Sequence, residues 1–205
     1  MPNIEDIQIV DKVLDAAIKY EMERAVQEMC VLLTRNFCEH SPFRVYMLAC
    51  KHKLKEEAKL AAKACLRVPI AGVFMPELAS ISGLEYFRLL DYQNKTSLAA
   101  DAIMTLDSSG PKFWGLFHTR SSCGPQGMSK WWSQFISLAL PILRKCPRSN
   151  AFFEPALLYP TLDCVAQCQQ CRNESVIKDW TLLERLLKQE IHLRTENIEL
   201  DLSGF

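Results

Sequence analysis

Apolar side chains recur at intervals of three and four residues in nearly every long segment of the chain, and this spacing predicts α-helices. In the first segment, residues 4–20, the predicted apolar face consists of Ile4, Ile7, Val10, Val13, Leu14, Ala17 and Ile18. No segment alternates apolar and polar residues with the period of two that marks a half-buried strand. The sequence therefore predicts an all-α fold, a multi-helix array of short helical hairpins.

Local signals predict where several of these helices begin and what they bury. Asn3 is a suitable N-cap for the first helix, and Ser41 followed by Pro42 suits the start of another. In the segment LKEEAKLAAKACL, small residues occupy the predicted buried side, which allows close helix packing; they are Ala58, Ala61, Ala62 and Cys65. The remaining helices are predicted at about residues 22–33, 84–106, 131–143, 152–158, 161–170 and 175–193.

The stretch DSSGPKFWG, residues 107–115, is the clearest break in the helical pattern. It divides the chain into a helical region at residues 1–106 and a C-terminal helical unit at residues 107–205. Two tryptophans, Trp131 and Trp132, begin a strongly apolar helix in the second part. Behind Lys130 they could form a stacking platform for nucleic acid, but paired tryptophans on an apolar helix favour a core position.

Charge and composition exclude some classes of partner. Lysine and arginine together equal aspartate and glutamate, so the formal net charge is zero, and we expect no nucleic-acid partner. Near-zero charge is compatible with self-association. The most apolar stretch, FISLALPIL, is too short to span a bilayer, and the start lacks the features of a signal peptide. We therefore expect an intracellular protein, cytoplasmic or nuclear, without a membrane partner.

Three of the nine cysteines lie within the stretch DCVAQCQQC. Intracellular thiols stay reduced, and an odd count excludes a complete disulfide framework. Cys168 and Cys171 have the spacing of a zinc half-site, and His118 with Cys123 supply the other close pair in this part of the chain. The sequence thus predicts a structural zinc site formed by His118, Cys123, Cys168 and Cys171, with Cys164 as a reserve ligand.

Other interpretations of these residues remain open. Unpaired cysteines are commonly small core residues, and a redox role is a further alternative. Cys123 and His118 could also act as nucleophile and base, although no orienting acid is evident. A second metal site could be formed by residues of the first half, namely Cys38, His40, Cys50 and His52, for which exposed loop positions are the simpler interpretation.

Three segments carry a resemblance to a known family. They are VLDAAIKYEMERAVQEMCVLL, SPFRVYMLACKHKLKEEAKLAAKACL and ISGLEYFRLLDYQNK, in this order. Together they resemble the BACK-like helical region that follows the BTB fold in basidiomycete fungal BTB/POZ domain-containing proteins. The later FHTRSSCG, WW and CQQC resemble the Cys/His-bearing tail of the same proteins. The strand-rich BTB core has no counterpart here, and only its closing helices, residues 4–33, match.

The resemblance implies adaptor-like scaffolding, and helical pairs joined by short loops offer grooves for partner peptides or helices. We therefore expect a non-enzymatic protein-interaction module with protein partners or self-association. The alternative is a metal- or Cys/His-dependent hydrolase or nuclease, against which stands the lack of carboxylates and histidines at metal-catalytic spacing. A helical domain that binds a small ligand is a third interpretation.

Overall fold

The computed structural model describes residues 6–104, 123, 129–148, 153–169, 171–173 and 176–205. Over these ranges the chain forms α-helices and short 3-10 or π-helical turns, and no strand. The prediction of an all-α fold is therefore confirmed. The α-helices in chain order are α1 (Ile7–Lys19), α2 (Glu23–Leu32), α3 (Pro42–Lys51), α4 (Lys55–Cys65), α5 (Gly83–Met104), α6 (Lys130–Lys145), α7 (Pro155–Gln167) and α8 (Val176–Thr195).

The chain divides into two compact units. The first contains Met1–Gln93 together with Glu199–Phe205, and the second contains Asn94–Ile198. The predicted boundary after residue 106 rests on residues 107–115, which lie outside the described ranges, and it stays a prediction.

Helix α1 begins at Ile7, later than the predicted residue 4, and its N-cap is Asp6 rather than Asn3. The Asp6 carboxylate accepts a hydrogen bond from the backbone N–H of Gln8 at 2.9 Å, which satisfies one of the unpaired N–H groups of the first turn. The predicted apolar face is confirmed in part: Ile7, Val10, Leu14 and Ala17 are buried. Val13 is half-buried, Ile18 is exposed, and Ile4 lies outside the described residues.

Two tight turns without glycine join α1 to α2 and α3 to α4. Glu21 adopts a left-handed conformation with φ of 56°, and the N–H of Met22 then bonds the carbonyl of Ala17 at 2.8 Å. Lys53 does the same after α3, with φ of 58°. This is the Schellman arrangement, in which glycine normally takes the left-handed position. It closes each helical hairpin within a few residues.

Helix α3 is the centre of the first unit, because nearly all its side chains are buried. The alanine side of α4 is also fully enclosed, as predicted from its small residues. The hydroxyl of Tyr46 on α3 donates to the Glu85 carbonyl at the start of α5. Ser82 and Glu85 form a capping box there: the Ser82 N–H donates to the Glu85 carboxylate, and the Glu85 N–H donates to the Ser82 hydroxyl.

An aromatic cluster forms the core of the second unit. Trp131 and Trp132 are fully buried, so the core position is confirmed and a stacking platform is excluded. The rings of Phe135 and Trp180 meet edge to face with centroids 5.2 Å apart, an arrangement that adds to their hydrophobic burial. Two cysteines, Cys168 and Cys171, belong to the same buried cluster.

Helix α7 continues through a proline, although the sequence predicted two separate helices in this region. Helices were predicted at residues 152–158 and 161–170, but α7 is one helix that runs through Pro160. Proline removes a backbone donor in this position. The Thr161 hydroxyl donates to the Leu157 carbonyl at 2.8 Å, which supplies a bond within the same turn. Helix α6 likewise includes Pro141 within its length.

Candidate metal centre

Three cysteine sulfurs from two separate parts of the chain converge in the second unit. The Sγ atoms of Cys123, Cys168 and Cys171 all lie within 4.8 Å of one another. The sulfurs of Cys123 and Cys171 are 3.2 Å apart. Three of the four predicted ligands are thus brought together. The fourth, His118, lies outside the described residues and stays a prediction.

The end of α7 orients Cys168 and Cys171 toward the same point. Cys168 caps the helix in an extended conformation, and Cys171 begins a 3-10 turn that follows. The N–H of Arg172 donates to the Cys168 carbonyl at 3.0 Å, which closes the intervening turn. The Arg172 guanidinium also donates to the Ala166 carbonyl at 2.6 Å, which satisfies an acceptor left unpaired where the helix ends.

Cys123 is held by the start of α6. The backbone N–H of Lys130 donates to the Cys123 sulfur at 3.3 Å. Lys130 is the first residue of α6, and the side chain of its N-cap, Ser129, makes no capping hydrogen bond. Backbone N–H groups at a helix N-terminus favour a negatively charged partner. The position therefore suits a thiolate, which is the form of cysteine that binds metals.

The arrangement fits a thiolate-bound metal in distance and in surroundings. A tetrahedral ion bound at about 2.3 Å from each sulfur separates the sulfurs by roughly 3.8 Å, a value between the 3.2 Å from Cys123 to Cys171 and the 4.8 Å within which all three sulfurs lie. Cys171 is fully buried and Cys168 nearly so, while Cys123 is half-buried. Donors enclosed in this way are typical of structural rather than catalytic metal sites. The cluster could therefore hold a metal ion.

Cys164, the reserve ligand, does not join the cluster of converging sulfurs. It lies one turn before Cys168 on α7 and is half-buried. Burial raises the pKa of its thiol, and the nearby charges of Cys168 and Cys123 add to this effect. A protonated thiol is a poor metal ligand, so we assign Cys164 to packing.

The cysteines of the first unit lie apart from any donor cluster within the described residues; Cys50 and Cys65 are buried, and Cys30 and Cys38 are half-buried. Burial raises the pKa of Cys50 to about 12, with a hydrogen bond to Tyr46 opposing the shift. Burial also raises the pKa of Cys30 to about 12. Such thiols stay protonated and are inert. The set Cys38, His40, Cys50 and His52 does not converge, since His52 faces carboxylates on α1 instead.

A second donor cluster in the described part of the chain was missed by sequence reasoning. Donor atoms of Asp11, Asp15 and His52 lie within 4.8 Å of one another. The Lys51 ammonium already sits between the two carboxylates, 2.8 Å from an oxygen of each. The His52 ring contacts Asp11 at 2.7 Å, and its side chain is only 4% exposed.

The Lys51 ammonium offsets part of the negative charge of the two carboxylates in this cluster. Burial would raise the pKa of Asp11, but hydrogen bonds from Lys51 and His52 hold it below its ordinary value. Burial would lower the pKa of Lys51, and its bonds to Asp11 and Asp15 hold it above its ordinary value. A metal ion here would have to displace the ammonium, so the cluster is an ion network that fixes α1 to α3.

Comparison of the chain with protein-family models, with curated proteins and with solved structures gave no match. The resemblance to the BACK-like region of fungal BTB/POZ proteins therefore stays a prediction. None of the helices in the described ranges combines the length and apolar character needed to cross a membrane.

Proposed function

We propose that this protein is a non-enzymatic protein-interaction module, related to fungal BTB proteins, whose second unit is held by a structural zinc ion. The observation that carries the proposal is the convergence of Cys123, Cys168 and Cys171 beside a buried aromatic core. Soft thiolate ligands select zinc among the common divalent ions, and His118 completes a set of three cysteines and one histidine. In this role the ion joins Cys123 to the turn after α7, and its binding energy becomes folding energy.

The burial of the ligands favours scaffolding over catalysis. A catalytic zinc keeps an open position for water or substrate, whereas a structural zinc is closed by four protein ligands. Cys171 and Cys168 face the hydrophobic core rather than an open cleft. This arrangement supports a structural ion and argues against the hydrolase or nuclease alternative.

Exposed aromatic side chains on the first unit support the interaction role. Phe74 is 83% exposed and Phe87 is 63% exposed. Aromatic residues are enriched in protein interfaces, where their burial contributes much of the binding energy. The family resemblance points in the same direction.

Metal content and coordination test the zinc part of the proposal. Protein purified without chelator should contain about one zinc per chain. After exchange for cobalt(II), visible absorption should report a tetrahedral site with sulfur ligands. A zinc content far below one per chain contradicts the structural site, and a five-coordinate or water-bound cobalt spectrum favours the catalytic alternative.

A pull-down from native extract tests the interaction part. We expect a protein partner to be recovered with the wild-type chain and to be lost with Phe74→Ser or Phe87→Ser. Lys59→Ser, at an exposed position of α4, is the matched control. Equal recovery with all variants, or no partner above background, contradicts the assigned surface.

A further inference from the structure

We propose that Cys123 and Cys171 form a thiol-oxidation site, at which a peroxide converts the metal-free pair into a disulfide. The proposal goes beyond metal binding, because the disulfide needs no ion. It rests on three observations about the cluster: the distance between two sulfurs, the unequal exposure of the thiols, and the hydrogen bond that one of them accepts.

A short distance separates the two sulfurs of the pair. The Sγ atoms of Cys123 and Cys171 are 3.2 Å apart, and a covalent S–S bond is about 2.0 Å long. The two residues stand 48 positions apart in the chain, so their proximity is produced by the fold and not by local sequence. A modest movement of the half-buried Cys123 closes the remaining gap.

The different exposure of the two cysteines indicates which one reacts with the peroxide and which one closes the disulfide. Cys123 is half-buried, whereas Cys171 is fully buried and Cys168 is 7% exposed. A dissolved peroxide therefore reaches Cys123 first. The Lys130 N–H at the start of α6 donates to the Cys123 sulfur and orients it. Cys171, in contact with that sulfur, is placed to resolve the oxidised product.

The chemistry balances with the peroxide as the only co-reactant. The Cys123 thiolate attacks one peroxide oxygen, the O–O bond breaks, and the products are a sulfenic acid and, after protonation, one water. The Cys171 sulfur then attacks the Cys123 sulfur, an S–S bond forms, and the S–O bond breaks to release a second water. Two thiols lose two electrons, and one hydrogen peroxide becomes two waters.

Other thiols of the described chain are poorly suited to this reaction. Burial raises the pKa of the Cys164 thiol above its ordinary value. Cys50 and Cys65 are buried in the first unit, and burial raises the pKa of each. Because the thiolate is the reactive form, we expect these three residues to remain reduced while Cys123 and Cys171 oxidise.

A bound zinc ion and the disulfide would exclude each other. This mutual exclusion rests on the proposed function, because it requires the zinc site. A zinc ion and an S–S bond would need the same two sulfurs, so oxidation would release the ion, and bound zinc would protect the pair. Oxidation would then replace the metal-mediated tie between Cys123 and the turn after α7 by a covalent bond to Cys171, and it would leave Cys168 as a single thiol.

Peptide mapping of the full chain tests the disulfide. The protein is stripped of metal with a chelator, treated with a small excess of hydrogen peroxide, blocked with an alkylating reagent, digested and analysed by mass spectrometry. We expect the peptide containing Cys123 to be linked to the peptide containing Cys171. Cys164→Ser, the matched control, should form the same link at a rate within about twofold. Cys171→Ser should leave a sulfenic acid at Cys123 that dimedone traps.

A disulfide between Cys168 and Cys171, or oxidation of Cys50 or Cys65 before Cys123, overturns the proposal. The same oxidation at saturating zinc distinguishes it from the proposed function, since bound zinc should slow disulfide formation about tenfold or more. If the disulfide forms at the same rate with zinc as without it, the zinc assignment fails while the oxidation site stands. If zinc binds but no disulfide forms in the metal-free protein, only the oxidation site fails.

Discussion

The backbone N–H of Lys130 donates a hydrogen bond to the sulfur of Cys123, so a cysteine serves as the first acceptor for helix α6. This relationship couples the candidate metal centre to secondary structure, because the same sulfur satisfies a helix N-terminus and faces two other thiols. Changes at the cluster should therefore alter the stability of the second unit as well as its metal content.

Cys171→Ser should release the metal and destabilise the second unit by at least about 3 kcal/mol, because the binding energy of a structural ion is folding energy. Cys164→Ser should retain the metal and cost about 1 kcal/mol or less, as expected for a small packing change. Metal analysis and urea unfolding measure both effects. Equal losses in the two variants would show that the ligands are assigned wrongly.

Lys51→Met should destabilise the first unit by roughly 2 kcal/mol, because it leaves the carboxylates of Asp11 and Asp15 facing each other without a cation. The matched control is Lys59→Met, which removes an exposed ion pair with Glu56. That change should cost less than about 0.5 kcal/mol. Chemical denaturation monitored by circular dichroism compares the variants. Similar costs would mean that the Lys51 network contributes little.

Glu85 should make the first unit sensitive to acid. Burial would raise its pKa, but the Lys53 ammonium and the Ser82 N–H hold it below the ordinary value. A carboxylate with a lowered folded pKa contributes stability above its unfolded pKa, and that stability is lost as pH falls through the folded value. Glu85→Gln should therefore cost about 1.5 kcal/mol at pH 7 and much less at pH 3. Urea midpoints at both pH values measure the difference; the same loss at each would contradict the assigned charge effect.

Glu21→Gly should stabilise the first unit by about 0.5 kcal/mol or more. Glutamate is held there at φ of 56°, a conformation that costs side chains other than glycine roughly 1 kcal/mol and glycine very little. Lys19→Gly in the last turn of α1 is the control and should destabilise by about 1 kcal/mol. Thermal melts distinguish the two directions. A loss of stability in Glu21→Gly would mean that its side chain makes a contribution larger than the backbone strain.

The sequence pattern predicted helix faces and short-range cysteine pairs, because these depend on residues close together in the chain. The alanine face of α4 and the buried tryptophans of α6 followed from helical spacing, because a helix presents residues three and four apart on one side. The pairing of Cys168 with Cys171 followed from their short separation. Cys123 was found because it is one of few soft ligands in that half of the chain.

The sequence pattern did not predict contacts between segments that are distant in the chain. The contact of Asp11 with Lys51 joins residues 40 positions apart and exists only because α1 packs on α3. One signal was present: Asp11 and Asp15 are one turn apart on α1, and the basic side chains of Lys51 and His52 lie at the end of the largely buried helix α3. The continuity of α7 through Pro160 was missed because local propensity predicts a break there, whereas the folded helix retains its neighbouring bonds.

The last residues of the chain belong to the first unit, and this has a consequence for synthesis. Arg88 contacts the Ser203 hydroxyl and carbonyl across 115 positions of sequence, and Lys53 lies over the ring of Phe205. The second unit is therefore an insertion between two parts of the first. During translation, residues Asn94–Ile198 emerge complete before the segment that finishes the first unit. The first unit therefore cannot complete its fold until residues 199–205 are synthesised. Loss of this segment would leave the first unit incomplete and the second unit intact.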